Sequence, residues 1–340
     1  MTGSSLIRRT RADLEGWEDE HLSSAAVRSA QSRGRAKPED QDPLRTVFQR
    51  DRDRILHSKA FRRLKHKTQV FMNPDGDHFV TRLTHTLQVT QIGRSLAVAL
   101  GLNESLTEAI CLGHDVGHSP FGHTGEDALT PYVDGEWHHA AQSVRIFDIL
   151  EPLNLTWEVR DGIRAHSWKI DPPPATEEGM VCRFADRIAY LTHDVDDAVR
   201  AHVIEYSDLP AGPRRVFGEP ASNWISTMIE AVVSESVRHG TVSMSEPVLE
   251  AMHEVREFMF ERVYLRPEAE PERQQAITII QHLADHYRHQ PDDIPSSYRD
   301  AKDPTDAAID YVAGMTDRFA IRDFERLGGH ITVDLSQSAS

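Results

Sequence analysis

The stretch from Gly113 to Glu126, Gly-His-Asp-Val-Gly-His-Ser-Pro-Phe-Gly-His-Thr-Gly-Glu, constrains this chain more than any other. It places an adjacent His114-Asp115 pair between two glycines. We expect the helix that carries His114 to end here, so that the backbone turns and one imidazole and one carboxylate face the same cation. This pair of ligands suits Mn²⁺, Fe²⁺, Co²⁺, Ni²⁺ or Zn²⁺, and also Mg²⁺, which prefers oxygen. The segment therefore predicts a divalent metal site.

Two ligands do not complete such a site, and His85 and Asp186 are the best candidates for the others. Apolar residues recur at helical spacing from Leu83 to Leu96, which predicts a helix with His85 on it. Arg82 precedes His85 by three residues and shares its face.

Asp186 lies in a second helical run, in which polar residues recur at three- and four-residue steps. Such a stripe on an apolar helix is either a solvated face or the wall of a site. The stripe consists of Asp186, Tyr190, His193, Asp194 and Asp197.

The charge balance limits the classes of partner. The chain of 340 residues has 38 Lys and Arg against 54 Asp and Glu, a net charge of -16, which disfavours general adhesion to nucleic acid or anionic membrane. A polyanionic substrate therefore needs a local basic patch. The segment from Arg45 to Lys67 is the candidate, although a solvated helix face is the alternative. Its nine basic residues are Arg45, Arg50, Arg52, Arg54, Lys59, Arg62, Arg63, Lys65 and Lys67.

The two cysteines and the apolar runs of the sequence indicate the cellular compartment in which the protein is expected. Cys111 and Cys182 each lie in an apolar run and are expected to be reduced core residues. Neither a signal-peptide pattern nor an uncharged run of about 20 apolar residues is evident. We expect a soluble, cytoplasmic protein.

Helical periodicity dominates and strand-like alternation is scarce, so the predicted fold class is all-α. Residues 1–40 are expected to form a flexible arm or one that packs on a partner, 41–330 a single domain with a helical C-terminal extension, and 331–340 a disordered tail. Pro74 to Asp77 predicts a turn, Gly101 a helix end, Ser105 a helix start and Thr124 a helix cap. Later helices are predicted over 139–150, 156–167, 180–205, 222–238, 246–264, 272–289 and 305–325.

Five ordered blocks resemble the bacterial deoxynucleoside triphosphate triphosphohydrolases, known as dGTPase-like proteins, of the HD phosphohydrolase superfamily. They span nearly the whole chain in the family's order, and the implied fold is the all-helical HD domain. The blocks are Lys65–Phe71, Arg82–His85, Gly113–His123, Asp186–Asp194 and Asp310–Asp317.

The resemblance implies a role for thirteen residues. The metal ligands are His85, His114, Asp115 and Asp186. A catalytic dyad is formed by His123 and Glu126, and the three-residue step between them lets the carboxylate orient the imidazole. The implied substrate contacts are Gln69, Arg82, His118, His139, Arg187, Tyr190 and Asp194. The chain has Ala140 where the family usually has a polar residue, a departure next to His139.

The implied activity is metal-dependent hydrolysis of a deoxynucleoside triphosphate, dGTP or several dNTPs, to deoxynucleoside and inorganic triphosphate. The alternatives are an HD nucleotidase, an alarmone hydrolase, or a nucleotide-sensing or single-strand-binding protein. The resemblance also implies a divalent metal ion such as Mn²⁺ or Mg²⁺ and a homo-oligomer, with a hexamer favoured. An allosteric dNTP and single-stranded nucleic acid are further family partners, and the acidic composition weighs against the second.

Overall fold

The computed structural model describes residues 6–70, 79–219, 222–299 and 303–333. Within these residues the chain forms helices and two isolated bridges and no sheet, which confirms the all-α prediction. The α-helices, α1 to α15 in chain order, are Arg11–His21, Val47–His57, Lys59–Arg63, Arg82–Leu100, Glu104–Gly113, Gly122–Leu129, His139–Arg145, Trp157–Ala165, Glu177–Arg200, Ala211–Phe217, Ser222–His239, Glu246–Met259, Glu270–His289, Pro304–Ala313 and Asp317–Arg326.

Short 3₁₀ and π segments extend or connect these helices. Two π segments continue α7 and α12 by one turn each, over Ile146–Leu150 and Phe260–Tyr264. The second of these brings aromatic residues toward the site described below.

The site is built on α4, α5 and α9, which pack together in the main core. Helix α4 begins after Thr81, whose side chain accepts a hydrogen bond from the amide of Thr84, and ends at Gly101 with φ of 65°. That left-handed conformation suits glycine, and the predicted helix end is confirmed. Helix α5 ends at Gly113 with His114 as its cap, also as predicted.

A second apolar cluster joins α6 to the C-terminal helices α13, α14 and α15. Leu129 of α6 is fully buried in this cluster with Ile280 of α13 and Val312 of α14. The helix that carries His123 and Glu126 is therefore held by the C-terminal part of the chain.

Four local predictions were wrong. Asn103, not Ser105, caps α5, because its side chain accepts from the amide of Leu106. Helix α6 begins at Gly122, so Thr124 lies inside it. The helix predicted over 305–325 is two helices, since Thr316 caps a new one at Asp317. Helix α9 ends at Arg200 rather than 205.

The N-terminal segment makes hydrogen bonds to the body of the same chain. The amide of Val27 donates to Glu178 at 3.0 Å, and the amide of Trp157 donates to the carbonyl of Gly34 at 2.9 Å. The turn predicted at 74–77 and residues 334–340 of the predicted tail lie outside the described residues. The division into arm, domain and tail stays a prediction.

In the described part of the chain, each helix is too short or too polar to cross a lipid bilayer.

Asp317, at the start of α15, connects the C-terminal helices to the site. Its buried carboxylate accepts hydrogen bonds from the amide of Thr68 at 2.8 Å and the amide of Phe121 at 3.1 Å, and from the Thr68 hydroxyl. Next to it the Lys67 ammonium donates to the carbonyls of Ala313, at 3.1 Å, and of His118. Burial raises the pKa of Asp317 and lowers that of Lys67 to about 7.

We predict that Asp317→Ala lowers the free energy of unfolding by about 2 to 4 kcal/mol, because a buried donor that loses its acceptor costs roughly 1 to 3 kcal/mol. Urea denaturation measures the change. Asp292→Ala is the matched control, since that side chain is fully exposed and should change stability by less than about 0.5 kcal/mol. Equal stability of the two variants would contradict the linking role of Asp317.

Candidate active site

A pocket of about 380 Å³ opens between the main core and the second cluster. Twelve of the thirteen residues singled out from the sequence line it, and the other, His114, is fully buried beside Asp115. The twelve are Gln69, Arg82, His85, Asp115, His118, His123, Glu126, His139, Asp186, Arg187, Tyr190 and Asp194. The structure thus brings the whole set together, and the role of each remains a prediction.

The four candidate metal ligands converge from α4, α5 and α9. His85 Nε2 lies 3.1 Å from Asp186 Oδ1, and His114 Nε2 lies 3.8 Å from the same oxygen. His114 Nε2 is 3.4 Å from Asp115 Oδ1. Ligand atoms that bind one ion at about 2.0 to 2.1 Å lie roughly 3.0 to 3.4 Å apart, so these separations need little adjustment around a cation.

The hydrogen bonds of His114 show which of its nitrogens is available. Nδ1 donates to the carbonyl of Cys111 at 2.7 Å, so in a neutral ring Nε2 carries the lone pair. Among the described residues this buried Nε2 has no hydrogen-bond partner. A buried polar atom without a partner is unfavourable by about 1 to 3 kcal/mol. A metal ion supplies the missing partner, so the residues fit the divalent cation that the sequence predicts.

Both carboxylates of the cluster stay ionised, as metal ligands must. Burial acts to raise the pKa of Asp115, but the charges of His114, His118 and Arg82 hold it well below its ordinary value. The Arg82 guanidinium donates to Asp115 Oδ2 at 2.7 Å. Burial opposes the shift at Asp186 as well, where the hydrogen bond with His85 and the charge of His114 lower the pKa to about 2.

Glycine is required where the His-Asp turn meets α7. A Cβ atom on Gly117 would lie 2.3 Å from the carbonyl oxygen of His139. The amide of Gly117 also donates to the Ser143 hydroxyl at 2.9 Å, and this hydroxyl donates to the carbonyl of His114. The close approach fixes His139 beside Asp115.

The Glu126 carboxylate is the centre of a second group of side chains. Oε1 accepts from His139 Nδ1 at 2.5 Å, and Oε2 lies 3.5 Å from His123 Nδ1. His118 Nδ1 is 3.1 Å from Oε1 but is not aligned for a hydrogen bond. The predicted dyad partners are therefore adjacent, but His139 is the nearer partner of the carboxylate.

Exposure separates the members of this group. The side chain of His123 is 72% exposed, whereas Glu126 is 11% exposed. Burial acts to raise the pKa of Glu126, but the charges of His139 and His118 hold it well below the ordinary value. Burial lowers the pKa of His118 well below its ordinary value. An ionised Glu126 can thus orient an imidazole that solvent and ligands reach.

The other end of the pocket contains two buried oxygens without hydrogen-bond partners among the described residues, Gln69 Oε1 and Asp194 Oδ1. The second oxygen of Asp194 accepts from the Tyr264 hydroxyl at 2.6 Å. Burial raises the pKa of Asp194 to about 7. Tyr190 lies on α9 between Asp186 and Asp194 and also lines the pocket.

Arg187 supplies positive charge on the same wall. Its guanidinium carbon lies 4.0 Å from the centre of the Trp168 ring, and Nη1 is 3.0 Å from His253 Nε2. Arg256, from α12, also lines the pocket.

The basic segment from Arg45 to Lys67, which the sequence offered as the patch for a polyanionic substrate, does not line the pocket. None of its nine residues, all within the described part of the chain, lines the pocket. Carboxylates pair with several of them: Asp42 with Arg45, Glu39 with Arg50 and Arg54, and Asp53 with Arg52. Several of these basic residues thus belong to ion pairs outside the pocket, and the prediction that the segment faces the substrate was wrong.

Comparisons with known proteins agree with this geometry. Residues 82–191 match the HD domain family, and residues 242–326 match the phosphohydrolase-associated domain family. The "Deoxyguanosinetriphosphate triphosphohydrolase-like protein" of Caldanaerobacter subterraneus subsp. tengcongensis is 45% identical over 326 residues, which cover 94% of this chain and 96% of the relative. The protein of the same name from Desulfatibacillum aliphaticivorans is 44% identical, with 93% and 97% covered.

The chain belongs to the deoxyguanosinetriphosphate triphosphohydrolase-like proteins. With its HD domain it is a phosphohydrolase. A solved structure of a hypothetical protein from Aquifex aeolicus has the same fold, with a TM-score of 0.53 at 21% identity over 81% of this chain and 68% of that one.

His166, Trp168 and Tyr264 are among the residues of this phosphohydrolase site that sequence reasoning missed. His166 is fully buried, with Nε2 3.0 Å from His139 Nε2, and burial lowers its pKa to about 3. A signal for it was present, because Val159, Ile163 and His166 follow one another at helical steps on a buried face. Tyr264 offered no local signal, since its partner Asp194 is 70 residues away.

We predict that Asp186→Ala removes about one divalent ion per chain from this triphosphohydrolase-like protein, because the carboxylate faces both His85 and His114. Elemental analysis of the purified proteins measures the metal content. Asp196→Ala on the same helix is the matched control and should keep the wild-type content, since its carboxylate accepts from Tyr206 instead. Full metal retention in Asp186→Ala would remove Asp186 from the ligand set.

Proposed function

We propose that the protein hydrolyses deoxynucleoside triphosphates at the α-phosphorus, with a divalent metal ion, and releases deoxynucleoside and inorganic triphosphate. The observation that supports this proposal most is the shared pocket. The metal-ligand cluster, the His123-Glu126 pair and the acceptors Gln69 and Asp194 all border it. The ligand cluster suits a phosphate, the His123-Glu126 pair suits proton transfer, and the two acceptors suit a sugar hydroxyl.

The phosphate end of the substrate lies at the metal-ligand cluster in this proposal. His85, His114, Asp115 and Asp186 would hold a divalent ion, which would supply Lewis-acid polarisation of a phosphoryl oxygen and offset its developing charge. His118, beside Asp115, contacts the α-phosphate. Arg82 orients Asp115 from one side, and Arg187 offsets the charge of the phosphate chain from another.

Proton transfer is assigned to His123. Hydrolysis breaks the bond between the α-phosphorus and the 5′ oxygen, while water supplies the new oxygen on phosphorus and a proton for the leaving 5′ oxygen. The exposed His123 imidazole is accessible to substrate and solvent, and Glu126 orients it from a distance of 3.5 Å. His139 holds the other oxygen of Glu126 in place.

Sugar selection is assigned to Tyr190. The tyrosine follows Asp186 by one helical turn, so its ring lies next to the phosphate end, where the first sugar must sit. Gln69 Oε1 and Asp194 Oδ1 are the unpaired acceptors for a 3′ hydroxyl. The Tyr190 ring beneath C2′ of the bound sugar leaves no space for the 2′ hydroxyl of a ribonucleotide.

The test of this function compares dGTP, dATP, dCTP, dTTP, dAMP and a ppGpp-type substrate with Mn²⁺, Mg²⁺ and Co²⁺. Release of inorganic triphosphate from dNTPs supports the proposal. Pyrophosphate or orthophosphate as the first product, or turnover of dAMP or the alarmone alone, contradicts it. A homo-oligomer, with a hexamer favoured, and cytoplasmic location belong to the same proposal, and size-exclusion chromatography with light scattering tests the first.

We predict that His123→Ala lowers kcat by about 10²- to 10⁴-fold while the metal content stays at the wild-type value, because general acid-base groups contribute on that scale. Steady-state kinetics and elemental analysis measure the two quantities. His239→Ala is the matched control, an exposed histidine that pairs with Glu235 on α11. Wild-type turnover in His123→Ala removes the residue from the mechanism, and loss of metal makes it a ligand.

We predict that Tyr190→Ala lowers the ratio of kcat/KM for a dNTP to that for its ribonucleotide by roughly 10- to 100-fold. The ring is lost both as a packing surface for deoxyribose and as a barrier to the 2′ hydroxyl. Tyr206→Ala is the control, because the hydroxyl of this half-exposed tyrosine donates a hydrogen bond to Asp196 and its ring does not line the pocket. An unchanged ratio in a folded Tyr190→Ala protein would show that Tyr190 is a core aromatic residue and not a steric gate against ribonucleotides.

A further inference from the structure

Two arginines of the pocket wall, Arg187 and Arg256, form no ion pair with a carboxylate within the described part of the chain. Each lies over an aromatic ring instead. The guanidinium carbon of Arg187 is 4.0 Å from the centre of the Trp168 ring, and that of Arg256 is 4.4 Å from the centre of the Phe260 ring. Arg82, in the same pocket, donates to a carboxylate. An aromatic face attracts a guanidinium without neutralising its charge, so the two side chains over rings stay available to an anion.

Arg187 is buried although its charge has no pairing carboxylate. The residue is 7% exposed, and its Nε has no hydrogen-bond partner among the described residues. Its Nη1 donates to His253 Nε2 at 3.0 Å, because a guanidinium can only donate. Burial lowers the pKa of Arg187, and the charge of Arg256 acts in the same direction. A buried cation of this kind is unfavourable unless an anion binds to it.

The loop that carries Trp168 is attached to α9, the helix of Arg187. The indole Nε1 donates to the carbonyl of Arg183 at 3.1 Å. The Arg183 guanidinium in turn donates to the carbonyls of Ser167 at 2.7 Å and Ile170 at 3.0 Å. Arg187 follows Arg183 by one helical turn, so both side chains project toward this loop. These hydrogen bonds fix the position of the ring relative to Arg187.

We propose that Trp168 is a positioning residue, which holds the Arg187 guanidinium where the triphosphate chain of the substrate binds. Without the ring, repulsion by Arg256 and the freedom of a long side chain would move the guanidinium away from this position. A ligand with several phosphates gains most from a fixed cation, so Trp168 favours a triphosphate over a single phosphate. This role rests on the proposed function, because the ligand of Arg187 is the triphosphate part of its substrate.

The test is the binding of inorganic triphosphate to the purified full-length protein. Isothermal titration calorimetry at one fixed free Mg²⁺ concentration gives its Kd, with orthophosphate for comparison. Inorganic triphosphate lacks the 5′ ester bond that the proposed function breaks, so binding is measured apart from turnover. We expect Trp168→Leu to weaken triphosphate binding by about 5- to 30-fold, the scale of a desolvated cation-π contact, and orthophosphate binding by less. Trp168→Phe, which retains an aromatic face, should lose less affinity than Trp168→Leu.

Trp17→Leu is the matched control. This half-exposed tryptophan stacks on His21 within α1 and does not line the pocket, so the variant should bind triphosphate as the wild type does.

A double-mutant cycle separates positioning of Arg187 from a general effect on the fold. In an Arg187→Gln background, Trp168→Leu should change the triphosphate Kd by less than about 2-fold, because the ring then has no guanidinium to hold. An equal loss in both backgrounds overturns the role, and thermal denaturation checks that each variant is folded. If Trp168→Leu does not fold, replacement of Trp168 by a fluorinated tryptophan retains the shape and weakens the attraction for a cation. An unchanged triphosphate Kd in that protein also overturns the role.

The remaining outcomes distinguish this role from the proposed function. Equal affinity of the wild type for triphosphate and orthophosphate overturns the role of Trp168. Weaker binding of deoxyguanosine by Trp168→Leu, with unchanged binding of triphosphate, overturns it as well and makes Trp168 a contact of the base. Failure of the wild type to hydrolyse dNTPs, with the expected pattern of triphosphate binding, affects only the proposed function.

Discussion

The buried carboxylate of Asp115 is the point on which the site depends. A carboxylate removed from water is strongly unfavourable unless charges and hydrogen bonds surround it. Arg82 from α4 donates a hydrogen bond to one oxygen at 2.7 Å, and three imidazoles, those of His114, His118 and His139, approach the other oxygen at 3.3 to 3.7 Å. The need to neutralise one charge thus draws helices from distant parts of the chain into a single arrangement.

The C-terminal helices extend this arrangement to the loop that follows the His114-Asp115 pair. The Asp317 carboxylate binds the backbone at Thr68 and Phe121, and Lys67 binds the carbonyl of His118. The loop between the His-Asp turn and α6 is therefore held from both sides. Part of the wall of the HD site therefore rests on the region that matches the phosphohydrolase-associated domain family.

The chain also combines an acidic surface with a pocket suited to an anion. Its net charge is -16, and the basic residues between Arg45 and Arg54 are paired with carboxylates. The positive charge that faces the pocket is local, from side chains such as Arg187 and Arg256. A buried or half-buried charge in a pocket is screened less than one on the surface, so a few such groups outweigh the overall balance for a bound ligand.

The sequence by itself determined the all-α class and the helices that carry the candidate ligands, because spacing within a helix is a local property. Its resemblance to a family supplied the thirteen candidate site residues, twelve of which line one pocket. Only the tertiary structure decided which side chains meet. His166 facing His139, Tyr264 bonding Asp194 and the break before Asp317 depend on how distant helices pack. Periodicity reveals that a helix face is buried, but not which residue from another helix lies against it, since that partner is selected by the packing of the whole core.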